Sequence, residues 1–174
     1  MNAADLIAKT LEINTNLVHM ALDGLTDEEL WKQPNADSNP IGWLLWHMTR
    51  AEDDLLSRAG GRPQVWAEGR WHQKIKPPAG PEDSGGGNTM DQVRAFRAKK
   101  EDLLGYAQAV RKNTLAVLPA IPPSALDQKV ENPPAPVVQK VGDFFAILLL
   151  DYAHHAGQIC YLRGWFKGRG WLPF

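Results

Sequence analysis

The 174-residue chain reads as an all-α protein, a four-helix bundle with a long crossover between helices two and three. Three observations predict this. Four long stretches carry apolar residues at helical spacing, no stretch shows the strict alternation of a strand, and the connections are rich in proline and glycine. The length suits one domain spanning residues 1–174, enough to bury about two-thirds of the surface its unfolded form exposes.

The first helix is expected over residues 3 to 22, where Leu6, Ile7, Leu11, Leu17, Val18 and Leu22 recur near helical period and Gly24 supplies a stop. His19 lies within it, and its neighbour four residues on, Asp23, points toward the helix end, which suits a solvated or core histidine. Thr26 and Glu29 form a capping box that opens a short helix through Trp31. The second long helix runs from about Pro40 to Arg58, with Ser38 or Asn39 as its cap and Pro40 in the first turn. Residues 59 to 88 hold too many glycines and prolines for a regular element, and a connection of that length is often a lid or binding loop. Trp66 and Trp71 lie in it and suggest a segment folded down onto the body, over a pocket or simply pinned as a surface loop. A second capping box, Thr89 with Gln92, opens a third helix expected to run unbroken to about Leu118. A proline-rich stretch follows, with one helical turn at residues 124–127. The fourth helix begins after Val141-Gly142-Asp143 and ends near Phe166, before Gly168-Arg169-Gly170.

Charge excludes some classes of function. Nineteen basic residues nearly balance twenty acidic ones, so nothing asks for a nucleic-acid backbone or an acidic membrane surface as partner. Arg163, Lys167 and Arg169 gather where they complement a helix C-terminus. The first residues carry no basic and apolar leader, and the run from Phe144 to Leu150 is far too short to span a bilayer, so a cytoplasmic location and no membrane association are expected. The single cysteine, Cys160, excludes an internal disulfide and a cysteine-based zinc cluster. At about 100° per residue it lies on the far side of its helix from Asp151.

The chemistry is concentrated in the fourth helix. Asp151 and His155 are four residues apart, so they stand one above the other on a single face and can converge on one point. A carboxylate beside the run Phe144–Leu150 is costly to bury unless its charge is compensated, and a divalent cation shared with the histidine would do that. Two side chains that merely bond each other on a helix surface form the competing reading. His47, in the middle of the second helix among Trp43, Leu44, Trp46 and Met48, must likewise find a hydrogen bond or a metal. If the second and fourth helices face each other, His47, Asp151 and His155 make three ligands with open positions left, as in a catalytic site. Gln158 shares the stripe of Asp151 and is a candidate to orient a ligand or a substrate. Asp54 lies on the His47 stripe. His154, rotated away from His155, is either an acid/base at the edge of the site or a helix-to-helix hydrogen bond.

Two segments, Pro40-Ile41-Gly42-Trp43-Leu44-Leu45-Trp46-His47-Met48 and His154-His155-Ala156-Gly157-Gln158-Ile159-Cys160-Tyr161-Leu162-Arg163-Gly164, resemble the signature segments of the DinB-like superfamily. The run from Trp66 to Trp71 is similar to a tryptophan-rich connection in some members. The resemblance implies a four-helix bundle with a long second-to-third crossover and a homodimer. It also implies one divalent metal on His47, Asp151 and His155: zinc first, with nickel, iron or manganese also compatible. Asp151 departs from the His or Glu more common at its position. The resemblance further implies a transferase, isomerase or hydrolase that acts on a small electrophilic molecule with a low-molecular-weight thiol as cosubstrate. The alternative is a non-catalytic dimeric metal-binding or stress-response bundle.

Overall fold

The structure, a computed structural model, describes residues 1–172. Its first helix, α1 (Ala3–Leu22), is closed at its N-terminus by a reciprocal pair of bonds between Asn2 and Asp5. A one-turn α2 (Asp27–Leu30) starts at the Thr26/Glu29 capping box that the sequence predicts. The second long helix, α3 (Ile41–Gly60), is preceded by Pro40 in the capping position and ends on Gly61 with φ of 61°. A left-handed residue at a helix C-terminus is the place where glycine costs least.

The connection after α3 is more ordered than its composition suggests. It contains two one-turn helices, α4 (Val65–Glu68) and α5 (His72–Ile75). Asp53 holds the first of them in place, since its carboxylate accepts the backbone N–H groups of Val65 at 2.9 Å and Trp66 at 2.8 Å.

The third long helix differs from expectation. It is divided into α6 (Met90–Ala95), opened by the Thr89/Gln92 box, and α7 (Lys100–Val117). The break has a packing cause. Phe96 turns inward to meet Trp31 and Trp46 edge-on, at 4.9 and 4.8 Å between ring centres, and the Ala98 carbonyl accepts the Trp31 indole N–H at 2.9 Å. A continuous helix would tie up that carbonyl and swing Phe96 out of the aromatic cluster. The last helix, α8 (Val141–Lys167), follows short 3-10 turns at Leu118–Ala120 and Pro123–Asp127.

Among the long helices, α8 packs on α3 and α1, and α3 packs on α7. The second and fourth helices therefore face each other, as a shared site requires. Between α1 and α7 a groove of about 1430 Å³ reaches down to Leu45 and Tyr152. Among the described residues no strand forms beyond an isolated bridge between Lys129 and Lys140, and no helix is long and apolar enough to cross a membrane.

Candidate metal centre

His47 stands in the apolar first half of α3, and its orientation is set on two sides. Trp43, one turn earlier, stacks on the imidazole with ring centres 4.7 Å apart and planes at 18°. On the other side Nδ1 lies 2.5 Å from the Ser84 carbonyl oxygen. That oxygen can only accept, so Nδ1 carries the proton and Nε2 keeps its lone pair. Burial holds the His47 pKa below the ordinary histidine value, against the opposing pull of the Ser84 carbonyl and Asp151. A neutral imidazole is the form that binds metal.

On α8, His155 is held in the same way. Its Nδ1 is 2.7 Å from Oε1 of Gln158, one turn on, which again leaves Nε2 with the lone pair. That Nε2 lies 3.4 Å from Oδ1 of Asp151, and the two side chains are 12% and 24% exposed. Burial opposes the charged form of His155, but the contacts with Asp151 and Gln158 outweigh it and raise its pKa. The rings of His47 and His155 meet edge-on, 5.0 Å between centres. Among the described residues, His47, Asp151 and His155 each offer one ligand-type atom, and the three lie within 4.8 Å of one another.

The donor set fits a divalent cation. With both Nδ1 atoms committed to acceptors, each imidazole in its neutral form keeps its lone pair on Nε2, and loss of the His155 proton leaves that lone pair beside the Asp151 carboxylate. Asp151 Oδ2 is screened from water and has no hydrogen-bond partner among the described residues. Such an orphaned carboxylate oxygen is costly to bury unless a cation meets it. Two imidazoles and a carboxylate suit zinc, and equally iron, nickel or manganese.

The other candidates are placed plainly. Gln158 touches the trio through His155, and its amide nitrogen lies 3.4 Å from Nε2 of His154. His154 is exposed and stacks on His155 at 5.1 Å. Asp54 is not part of the cluster: its oxygens accept from Arg58 at 2.7 Å and Gln64 at 2.8 Å. Trp66 and Trp71 are directed at α7, where both pack on Tyr106, and the Trp66 indole donates to the Pro81 carbonyl. The segment laid over His47 is instead Asp83 to Asn88, which sequence reasoning missed. Ser84 acts through its backbone, which leaves no side-chain signal, and the cluster Gly85-Gly86-Gly87 was the one available hint. Cys160 is half-buried, and burial raises its thiol pKa.

An all-helical bundle with these three donors facing one another across α3 and α8 defines the class. The chain belongs to the DinB superfamily, whose family model matches residues 10–159. No curated protein matches it. Among solved structures it is similar to one described as the conserved protein of locus from Enterococcus faecalis, at 21% identity and a TM-score of 0.86, covering 97% of this chain and 99% of that one. At that identity the likeness concerns the fold.

Proposed function

We propose that this single-domain chain is a divalent-metal-dependent enzyme that holds zinc, or another divalent cation, through His47, Asp151 and His155. It acts on a small electrophile with a low-molecular-weight thiol as cosubstrate. The observation that carries the reading is the convergence of three ligand atoms within 4.8 Å, one carboxylate oxygen of the set being buried without a partner. When bound, such a cation supplies Lewis acidity that brings a thiol or water to its nucleophilic form near neutral pH.

The remaining work falls to the chain's own residues. The Ser84 carbonyl and Gln158 keep both imidazoles in the tautomer that presents Nε2. A cleft of about 730 Å³ is lined by His154 and Gln158, both in contact with His155, and by the apolar Leu44, Tyr161, Leu162 and Trp165, while His47, Asp151 and His155 lie behind this lining. That volume is in the range of small-molecule sites, and the cleft serves as the substrate seat. Among the described residues no Lys or Arg lines it while Asp37 does, which favours neutral or cationic substrates over anionic ones. His154, at the edge, is placed to exchange a proton with a molecule seated there.

Leu150, Tyr161 and Trp165 favour the homodimer. They are 72%, 66% and 64% exposed along one side of α8 and offer a second copy an apolar stripe.

Metal analysis of the purified protein, before and after reconstitution, followed by a thiol-conjugation screen against small electrophiles, tests the proposal. Stoichiometric metal and thiol-dependent turnover are expected. Absence of metal after reconstitution overturns it. Metal without turnover favours the non-catalytic dimeric bundle instead.

A further inference from the structure

We infer that the turn from Asp83 to Asn88 is a clamp that fixes the tautomer of His47, and that Asp83 is the positioning residue that holds the clamp closed. Its consequence for metal affinity rests on the proposed metal centre, but the clamp itself is a property of the metal-free protein.

The contact with the imidazole is made by a backbone carbonyl, so its place depends on what fixes the turn. Asp83 does this from the inside. Its Oδ1 accepts the Gly85 N–H at 2.8 Å and its Oδ2 the Ala79 N–H at 3.0 Å, while the Asn88 amide nitrogen lies 3.2 Å from both oxygens. The Asp83 carbonyl in turn accepts from Nε of Arg50, 3.2 Å away and one helical turn beyond His47 on α3. Asn88 closes the circuit: its Oδ1 accepts the indole N–H of Trp43 at 3.1 Å, and Trp43 is the ring stacked on His47. The turn thus grips His47 through the Ser84 carbonyl and also holds the aromatic plate behind it.

Gly85 shows how closely the turn is laid on the site. Its φ is 93°, and a Cβ there would stand 2.8 Å from both Nδ1 of His47 and a ring carbon of Trp43. A side chain at this position is excluded by backbone conformation and by space together. Without the carbonyl at 2.5 Å, the imidazole is free to place its proton on Nε2, the nitrogen that must ligate. Groups that orient a ligating histidine are typically worth roughly 10- to 100-fold in metal affinity.

The test uses the full chain labelled with 15N at histidine. Long-range 1H–15N correlation spectra of the metal-free protein read the tautomer of each ring, and competition with a chromophoric chelator reads the zinc dissociation constant. In the wild type His47 is expected as the Nδ1–H form. In Asp83→Ala it becomes a mixture, and zinc affinity falls roughly 10- to 100-fold, while His155, held by Gln158, keeps its tautomer. Ser84→Ala, which leaves the carbonyl in place, changes neither. Should Asp83→Ala not fold, Asn88→Ala removes one arm of the turn and the Trp43 contact, with the same expected direction. An Nε2–H tautomer in the wild type, or unchanged tautomer and affinity in a folded variant, overturns the clamp. A purely structural role would lower the melting temperature and leave both readouts alone. Failure of the wild type to bind zinc overturns the metal centre, and the clamp is then decided by the tautomer alone.

Discussion

The imidazoles of His47 and His155, carried on the second and fourth long helices, meet with centres 5.0 Å apart and planes at 81°. Each has its Nδ1 bonded to an oxygen, so in the neutral rings the lone pair is on Nε2, which in His155 lies 3.4 Å from the Asp151 carboxylate. Lone pairs brought together in a half-buried space repel unless a proton or a metal cation lies between them.

Asp151→Asn therefore has opposite effects on the metal-free and metal-loaded protein. At a pH high enough to leave both rings neutral, the amide can donate to His155 and no charged oxygen is left without a partner. Denaturant unfolding of the metal-free variant is expected to show a gain of about 1 kcal/mol. Zinc affinity is expected to fall by more than tenfold, since the site loses its one negative charge. A metal-free variant less stable than the wild type would show that the carboxylate is already satisfied.

The bundle was legible because periodicity and caps are local. Leu11, Val18 and Leu22 mark the buried face of α1, and both predicted capping boxes form. The cluster of His47, Asp151 and His155 was legible in part for the same reason, since Asp151 and His155 are one turn apart and only His47 depends on tertiary structure. What failed was non-local. The break at Phe96 follows from the positions of Trp31 and Trp46, far away in sequence. The two loop tryptophans looked like a cover because aromatics in a loop must pack somewhere. Nothing in their spacing says that Tyr106 is the partner and that Ser84, through a backbone atom, is the cover.

Two glycines in helices make a paired prediction. Gly157 is exposed in α8, and a Cβ there meets nothing within 4 Å, so Gly157→Ala is expected to stabilise by about 0.5–1 kcal/mol through reduced freedom of the unfolded chain. Gly42 is also helical, but its Cβ would sit 2.9 Å from the Trp31 ring. That ring cannot retreat, being held by Ala98 and Phe96. Gly42→Ala is expected to lose about 1–3 kcal/mol from overpacking, outweighing the helical gain. Equal thermal shifts for the two variants would contradict the packing of Trp31 on α3.

Acid should weaken the fold through two carboxylates at helix starts. The Lys167 ammonium, with the Thr26 N–H, holds Glu29 below the usual carboxylate pKa, and the N–H groups of Gln139 and Lys140 do the same for Asp143. A pKa lower in the folded state means stability that is complete above the unfolded value, about 4, and lost as pH falls through the folded one. Unfolding curves of the wild type should shift to lower denaturant below about pH 4. Asp143→Asn, which keeps an acceptor but has no charge to titrate, should flatten that limb, and an unchanged slope would remove Asp143 from the account.

The groove between α1 and α7 leaves one side of the bundle thinly packed, and a polar cluster spans it with a residue from every long helix. Arg111 of α7 grips Glu52 of α3 with both carboxylate oxygens at 2.8 Å, and Thr114 donates to the same carboxylate at 2.6 Å. Its remaining arm donates to Thr15 of α1 at 2.6 Å, and the guanidinium lies over the ring of Tyr152 from α8. Glu52 is 1% exposed, so the anion has almost no water to fall back on. Arg111→Met strands it, and a loss of about 3–5 kcal/mol is expected, as for other buried pairs that lose one partner. Removing the anion as well should return most of that loss. Thr15 already donates to the Leu11 carbonyl, and the Thr114 hydroxyl, released from Glu52, can turn to the Val110 carbonyl 3.1 Å away, so neither hydroxyl is orphaned in the double variant Glu52→Leu/Arg111→Met. A denaturant double-mutant cycle reads the difference. A double variant as unstable as Arg111→Met alone would mean that Arg111 stabilises the bundle by bridging α1 to α7 and not by neutralising Glu52.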